Sequence, residues 1–368
     1  MALGKNARLL KFERVENRLC PAVLLDLASN GDLVVSGDST GPVAIVAIDA
    51  DSYQVTEGVG LPSTIDGVTR GIRINLGGSS DTVSLDLAGQ TVSGDVRIDL
   101  GGGDNTLTLS GGTIRGHLVL QSGEGIDTVT VNGDITVRKN TQIDLGGGNN
   151  VAAVSGTHFG QFTLGAGSGN DTVTLDDDAD VAKHAKIRLG SGDNVFTTEG
   201  DFGRHLFYEG LDGNDTVTIL AQSLVADQAK IDLGSGANTF SLAGNIKKDL
   251  QLSAGGGIDT INMLASARIM RDAKLKLGDG DNIVTFESDV KRSLTIQAGA
   301  GVDTVVVANS ARVAKDARVN LGGGNDLFTF AGRVGRKLSL DGGDGIDTLT
   351  NVGGDAAVLT LTSIEVQI

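Results

Sequence analysis

The chain repeats itself every 44 residues, and no other property of its sequence restricts the fold as tightly. Six Gly-x-Asp-Thr tetrads place Asp127, Asp171, Asp215, Asp259, Asp303 and Asp347 at intervals of 44, with no insertion between them. A second series, Asn150, Asn194, Asn238, Asn282 and Asp326, keeps the same interval and interleaves with the first at steps of 23 and 21. The unit is therefore a coil averaging 22 residues, and the 44-residue period is a double repeat. Asn105 and Asp81 extend the ladder toward the N-terminus with steps of 22 and 24, which makes thirteen turns.

The two coil types read [SAG]-G-x-G-x-D-T-[VIL], as in "AGGGIDTINM", and L-G-x-G-x-[ND], as in "LGSGANTFSL". After each turn the apolar residues alternate: Val173 and Leu175, Val217 and Ile219, Ile261 and Met263, Val305 and Val307. Period-two alternation puts one set on the inner face of a strand and the other outside. The spacing then stacks like upon like, as with Phe196, Phe240, Val284 and Phe328. One such coil cannot bury its own apolar face, whereas stacked coils bury a continuous core. The fold class this predicts is all-β: a parallel β-helix, or β-solenoid, of about thirteen rungs. At a strand spacing of roughly 4.8 Å the rungs would form a rod on the order of 60 Å long. A propeller would need four strands per repeat, and the resemblance between the two halves of each repeat speaks for successive rungs instead.

Composition agrees. Of 368 residues 55 are glycine, only three are proline, and no collagen-like triplet occurs, so the glycines mark turns. A net charge of −16 disfavours nucleic acid, whose phosphates need a basic patch. Cys20 is the only cysteine, which rules out an intramolecular disulfide. No apolar run reaches the roughly 18 residues of a membrane span.

The stretch GGDGIDTLT at 342–350 fits the nonapeptide GGxGxDxUx, and in this it resembles the calcium-binding repeats of RTX (hemolysin-type) proteins. That resemblance implies Ca²⁺ as a cofactor, held at the sixth position of each turn. In this chain the position is occupied by Asp81, Asp127, Asp171, Asp215, Asp259, Asp303, Asp326 and Asp347. Two departures qualify it. Asn105, Asn150, Asn194, Asn238 and Asn282 occupy the same place in the other rungs, and an amide oxygen brings no charge. The turns also recur once per rung rather than every nine residues, so any sites would lie in single file. The alternative role is structural, since Asp and Asn both cap tight turns by bonding backbone N–H groups. On this reading the calcium set is strongest where Asp347 meets Asp326.

The ends differ from the middle. Residues 1–25 are basic and read as a targeting-like segment, without the apolar core of a standard signal peptide. Within them "LLKFERVENRLCPA" resembles the segment that opens many large repeat proteins of planctomycete bacteria, which implies a secreted or envelope-associated product. Residues 26–75 have strand character outside the frame and read as an N-terminal cap with irregular first rungs, and residues 76–368 as the regular solenoid. The last rung ends in "AAVLTLTSIEVQI", strand-like throughout, which predicts end-to-end self-association through the C-terminal rung.

Lys139, Lys183, Arg271 and Lys315 share one corner position, with Asp227 the exception, and Arg204, Lys248, Arg292 and Arg336 share its counterpart. These read as a solvated corner of like charges. Parallel β-helices also host carbohydrate-active enzymes, but their sites break the repeat, and residues 125–347 carry no insertion. His117, His158, His184 and His205 have no ligand-like spacing. The expected function is that of a non-enzymatic structural or adhesive module of the cell surface or extracellular space, with a surface glycan or envelope component as partner. A calcium-stabilised RTX-like domain is the alternative, and a carbohydrate-active enzyme the second.

Overall fold

A computed structural model describes residues 23–368, so the targeting-like segment up to residue 22, including "LLKFERVENRLCPA", lies outside the described residues. The described chain is strand and turn throughout, wound into one parallel β-solenoid. No helix in it is long and apolar enough to cross a membrane.

Each rung holds three strands. In one of them Leu250–Ser253 leads into the glycine turn, Thr260–Met263 follows it, and the two-residue strand Arg268–Ile269 precedes a charged corner. The next rung repeats the set with Ala273–Gly278, Ile283–Phe286 and Asp289–Val290. Every strand pairs in parallel with its equivalent one rung away: Leu250 with Ala273, Thr260 with Ile283, Arg268 with Asp289. Three parallel sheets result, here called the first sheet (after the turn), the second sheet (the short strands) and the third sheet (before the turn).

The alternation in sequence becomes the inside and outside of this prism. Val173, Phe196, Val217, Phe240, Ile261, Val284, Val305 and Phe328 form one buried column on the first sheet. The prism is narrow enough that Phe196 stacks on Tyr208 of the third sheet, ring centroids 5.6 Å apart. A single hydrophobic core therefore runs from Val23 to Leu349.

The two ends are built differently. Leu33–Gly37 and Val43–Ala47 already belong to the parallel stack, against Ile72–Leu76 and Thr82–Val92. Their outer edges are covered by antiparallel strands: Val23–Leu27 on the one, Ser52–Glu57 and then Ser63–Asp66 on the other. Turning the chain antiparallel stops the stack from accepting another parallel rung. At the far end Asp355–Thr362 pairs with Arg333–Asp344, and among the described residues only on that side.

Candidate functional site

The turn between third and first sheets carries every residue singled out for metal binding. Its glycines are dictated by the closeness of the rungs. Gly236 has φ +122°, and a Cβ there would stand 2.0 Å from the carbonyl oxygen of Gly213 in the preceding rung. No side chain fits that gap, and only glycine adopts such a φ without strain.

The turn residue itself points inward. Asp81, Asn105, Asp127, Asn150 and their successors as far as Asp347 are at most 1% exposed. Each side-chain Oδ1 accepts a hydrogen bond from the backbone N–H of the same position one rung earlier. Asp171 N–H donates to Asn194 at 3.0 Å, Asn194 to Asp215 at 2.9 Å, and Asp215 to Asn238 at 2.9 Å. The series begins with Asp81 N–H on Asn105 and continues to Asp326 on Asp347 at 2.8 Å. Asp347 N–H then donates to Glu365, and at the other end Asp81 accepts from Ser39. The capping bond to a backbone N–H expected from the sequence is made, and the N–H belongs to the neighbouring rung, so the bond also ties the rungs together.

Asp and Asn differ at the second atom. In the Asn rungs Nδ2 donates to a carbonyl of its own turn: Asn194 to Gly192 at 2.9 Å, Asn238 to Gly236 at 3.1 Å, Asn282 to Gly280 at 2.9 Å. A carboxylate in the same pose has no proton to give. Accordingly Oδ2 of Asp81, Asp127, Asp171, Asp259, Asp303, Asp326 and Asp347 is buried without a hydrogen-bond partner. Asp215 is the exception, because Tyr208 donates its hydroxyl to Oδ2 at 3.1 Å. Burial raises the pKa of Asp127, Asp171, Asp215 and Asp326, and pushes Asp259 and Asp303 up to about 6.

Calcium wants roughly six to eight oxygens and enough carboxylate to offset its charge. In the alternating ladder from Asp81 to Asn282 the donor set does not fit. Each Oδ1 is engaged by an N–H, and every second rung presents an amide Nδ2 beside the turn carbonyls where a metal would need oxygen. Among the described residues no three His, Cys, Asp or Glu side chains gather about a point. The run Asp303, Asp326, Asp347 differs in one respect: three consecutive rungs are carboxylates with Oδ2 unpartnered and no amide between them, while each Oδ1 accepts an N–H as elsewhere. Asp326 adds to the upward shift of Asp303, and Asp347 to that of Asp326.

A second ladder runs outside the first, in the opposite direction. Where the residue before the buried Asp or Asn is polar, it accepts from the following rung: Asn170 N–H on Asn149 at 2.8 Å, Asp193 on Asn170 at 2.9 Å, Asn214 on Asp193 at 2.7 Å. Ile126, Ala237, Ile258, Val302 and Ile346 interrupt the series. Composition gave no reason to single out these exposed positions, although their 44-residue spacing would have done so.

The cationic corner proves to be interleaved with acids. Lys248 pairs with Asp227 at 2.7 Å, Arg271 with Asp249 at 3.7 Å, Arg292 with Asp272 at 3.6 Å and Arg336 with Asp316 at 3.8 Å. These four reach back one rung to a carboxylate, whereas Lys139, Lys183, Arg204 and Lys315 have no ion pair among the described residues, so the corner is a column of like charge only in part. Exposed pairs of this kind contribute about 0–1 kcal/mol each.

His158 is buried, bonded to Thr141 at 2.8 Å and to the Ser155 carbonyl at 3.2 Å, and burial lowers its pKa to about 4. It is a core residue. His184 and His205 stack with centroids 4.8 Å apart near the corner, where no third ligand joins them. Outward carboxylates Glu209 and Asp232 face one another across adjacent strands of the third sheet, in a depression of about 370 Å³. Arg188, bonded to Glu209 at 2.6 Å, holds that carboxyl below the usual carboxylate range. A general acid needs the opposite shift.

Compared with known proteins, the chain matches no family model, no curated protein and no solved structure.

Proposed function

We propose that the chain is a non-enzymatic structural or adhesive element that works at the cell surface or in the extracellular space. One observation carries the reading: among the described residues the rungs follow one another in parallel pairing from Ile72 onward, with only local bulges, and no inserted loop departs from that stack to build a site. A rod of this kind gives length, stiffness and repeated outward faces, which suit attachment and spacing. The lowered pKa of Glu209 also speaks against an acid–base pair at the one facing set of outward carboxylates described above. The test is protease shaving of intact cells that express the full chain. Loss of the chain on shaving is expected, and a fully protected chain would overturn the surface assignment.

Self-association through the C-terminal rung belongs to the same reading. Among the described residues Asp355–Thr362 pairs on one side only, with Val358 53% and Leu359 42% exposed, whereas the opposite end is covered by antiparallel strands. The partner this fits is a second copy meeting the same edge in a two-fold arrangement.

The unpartnered carboxyls of Asp303, Asp326 and Asp347 favour a second reading, calcium binding confined to that run. Thermal melts in millimolar CaCl₂ and in EGTA test it. A rise in Tm that Asp326→Asn abolishes is expected; identical melts would remove calcium from the account.

A further inference from the structure

The outward face of the third sheet carries a column that the corner residues do not share. Lys186, Lys230, Lys274 and Arg318 lie 44 residues apart in sequence and two rungs apart in space. Between them the registers place Phe207, Gln251 and Thr295, and Ser339 follows Arg318. At a rung spacing of roughly 4.8 Å the column presents one cation about every 10 Å. The ion pairs among the described residues engage other basic side chains, and none of these four has a carboxylate within that reach. Of the nearby acids, Glu209 is bonded to Arg188 and Asp316 pairs with Arg336. Asp232 shares the first depression with Lys230.

The column also lies in relief. Three shallow depressions, of about 370, 200 and 280 Å³, follow one another along it. The first two share Lys230, and the middle one is lined by Lys230, Lys274 and Lys276 with Gln251 and Ser253 and holds no acid. Glu209 and Asp232 offset part of the charge at Lys186 and Lys230. The stretch from Lys230 to Lys274 and Lys276, by contrast, is a positive patch without an acid in its depression, on a chain of net charge −16.

We propose that this column is a binding track for an acidic polysaccharide, an extended uronate-containing glycan lying along the rod axis. The proposal deepens the adhesive reading above and rests on it for its setting. Charge spacing decides the class of ligand. Duplex DNA carries a negative charge about every 1.7 Å and is attracted by dense basic patches, whereas this column offers a sparse one on an acidic body. A glycan with an acidic sugar at intervals matches a cation every second rung. The uncharged rungs supply what the sugars between acids need: Gln251, Thr295 and Ser339 can bond hydroxyls, and the Phe207 ring gives an apolar surface for a sugar face. Single exposed contacts are weak, about 0.2–1 kcal/mol, so affinity must come from several engaged along one chain.

The experiment is affinity electrophoresis of the full chain through gels containing hyaluronan, which carries a glucuronate on every second sugar, with dextran and poly(dT) as comparison polymers. Retardation by hyaluronan alone, growing with oligomer length and falling with salt, is expected. The outward variant Lys230→Gln/Lys274→Gln should weaken it roughly five- to tenfold, while Lys247→Gln/Lys291→Gln, away from the column, should leave it unchanged. Circular dichroism melts of each variant verify that the fold is intact. No retardation, equal loss in both variants, or equal retardation by poly(dT) would overturn the track. If the chain still attaches to intact cells in that case, the adhesive reading stands without this ligand.

Discussion

At the scale of the residue, one position holds the solenoid together and alternates between two chemistries. An Asn there satisfies two backbone groups, the N–H of the previous rung and a carbonyl of its own turn, as Asn194 does with Asp171 and Gly192. Asn194→Ala should therefore cost about 2–4 kcal/mol in urea unfolding, because it strands a buried N–H as well as a carbonyl. An Asp satisfies only the first and, except at Asp215, leaves a buried oxygen bare. Asp259→Asn should stabilise the chain at pH 7 by about 1 kcal/mol, and a loss of stability would show that Oδ2 has a partner in solution. The same position predicts a pH dependence. Asp259 and Asp303 titrate near 6 when folded, above the ordinary value of 3.8. Their contribution is full below the unfolded pKa and is lost as pH rises through 6. His158 acts the other way: with a folded pKa of about 4, its contribution is present above 6.5 and is lost as pH falls. Six carboxyls are shifted up against two imidazoles, His158 and His184, shifted down, so the test is a difference. Between pH 7 and pH 5 in EGTA the melting temperature of the chain should rise relative to that of Asp259→Asn/Asp303→Asn, which leaves both histidines untouched.

At the scale of the element, the turn is defined by which glycines have a neighbour above them. Gly236 meets the Gly213 carbonyl, whereas a Cβ at Gly256 would meet nothing within 4 Å. Gly236→Ala should lower stability by at least about 2 kcal/mol and Gly256→Ala should change it by less than about 0.5 kcal/mol. Chemical denaturation of the two variants checks the contrast, and equal effects would mean that the rungs are not packed this closely. The strands were legible in the sequence because alternation at Thr260–Met263 has one meaning once the period is known. The two-residue strands were not. Arg268–Ile269 is too short to show a period, and it exists because its neighbours Asn245–Ile246 and Asp289–Val290 hold it in register.

At the scale of the whole molecule, the two ends of the described stack differ. The antiparallel strands of residues 23–66 cover the first rung, whereas Asp355–Thr362 pairs, among the described residues, on one side only. Sedimentation velocity of the full chain should show concentration-dependent association that Val358→Lys/Leu359→Lys suppresses without changing the melting temperature. A monomer at all concentrations would remove the proposed contact.

The sequence by itself determined the period, the rung, the inward and outward faces and the single file of turn residues. Those are local or translational properties, and a repeat of fixed length transmits them along the chain without reference to anything distant. Only the tertiary structure decided what the turn residues bond to, that Lys248, Arg271, Arg292 and Arg336 reach back to acids, and that Lys186, Lys230, Lys274 and Arg318 stand in one column without an ion pair among the described residues. The reason is geometric. Stacking brings residues about 22 apart to hydrogen-bond distance, so an atom's partner is set by how the rungs superpose. Spacing in sequence tells which residues share a column, and the superposition tells which of their atoms are left without a partner.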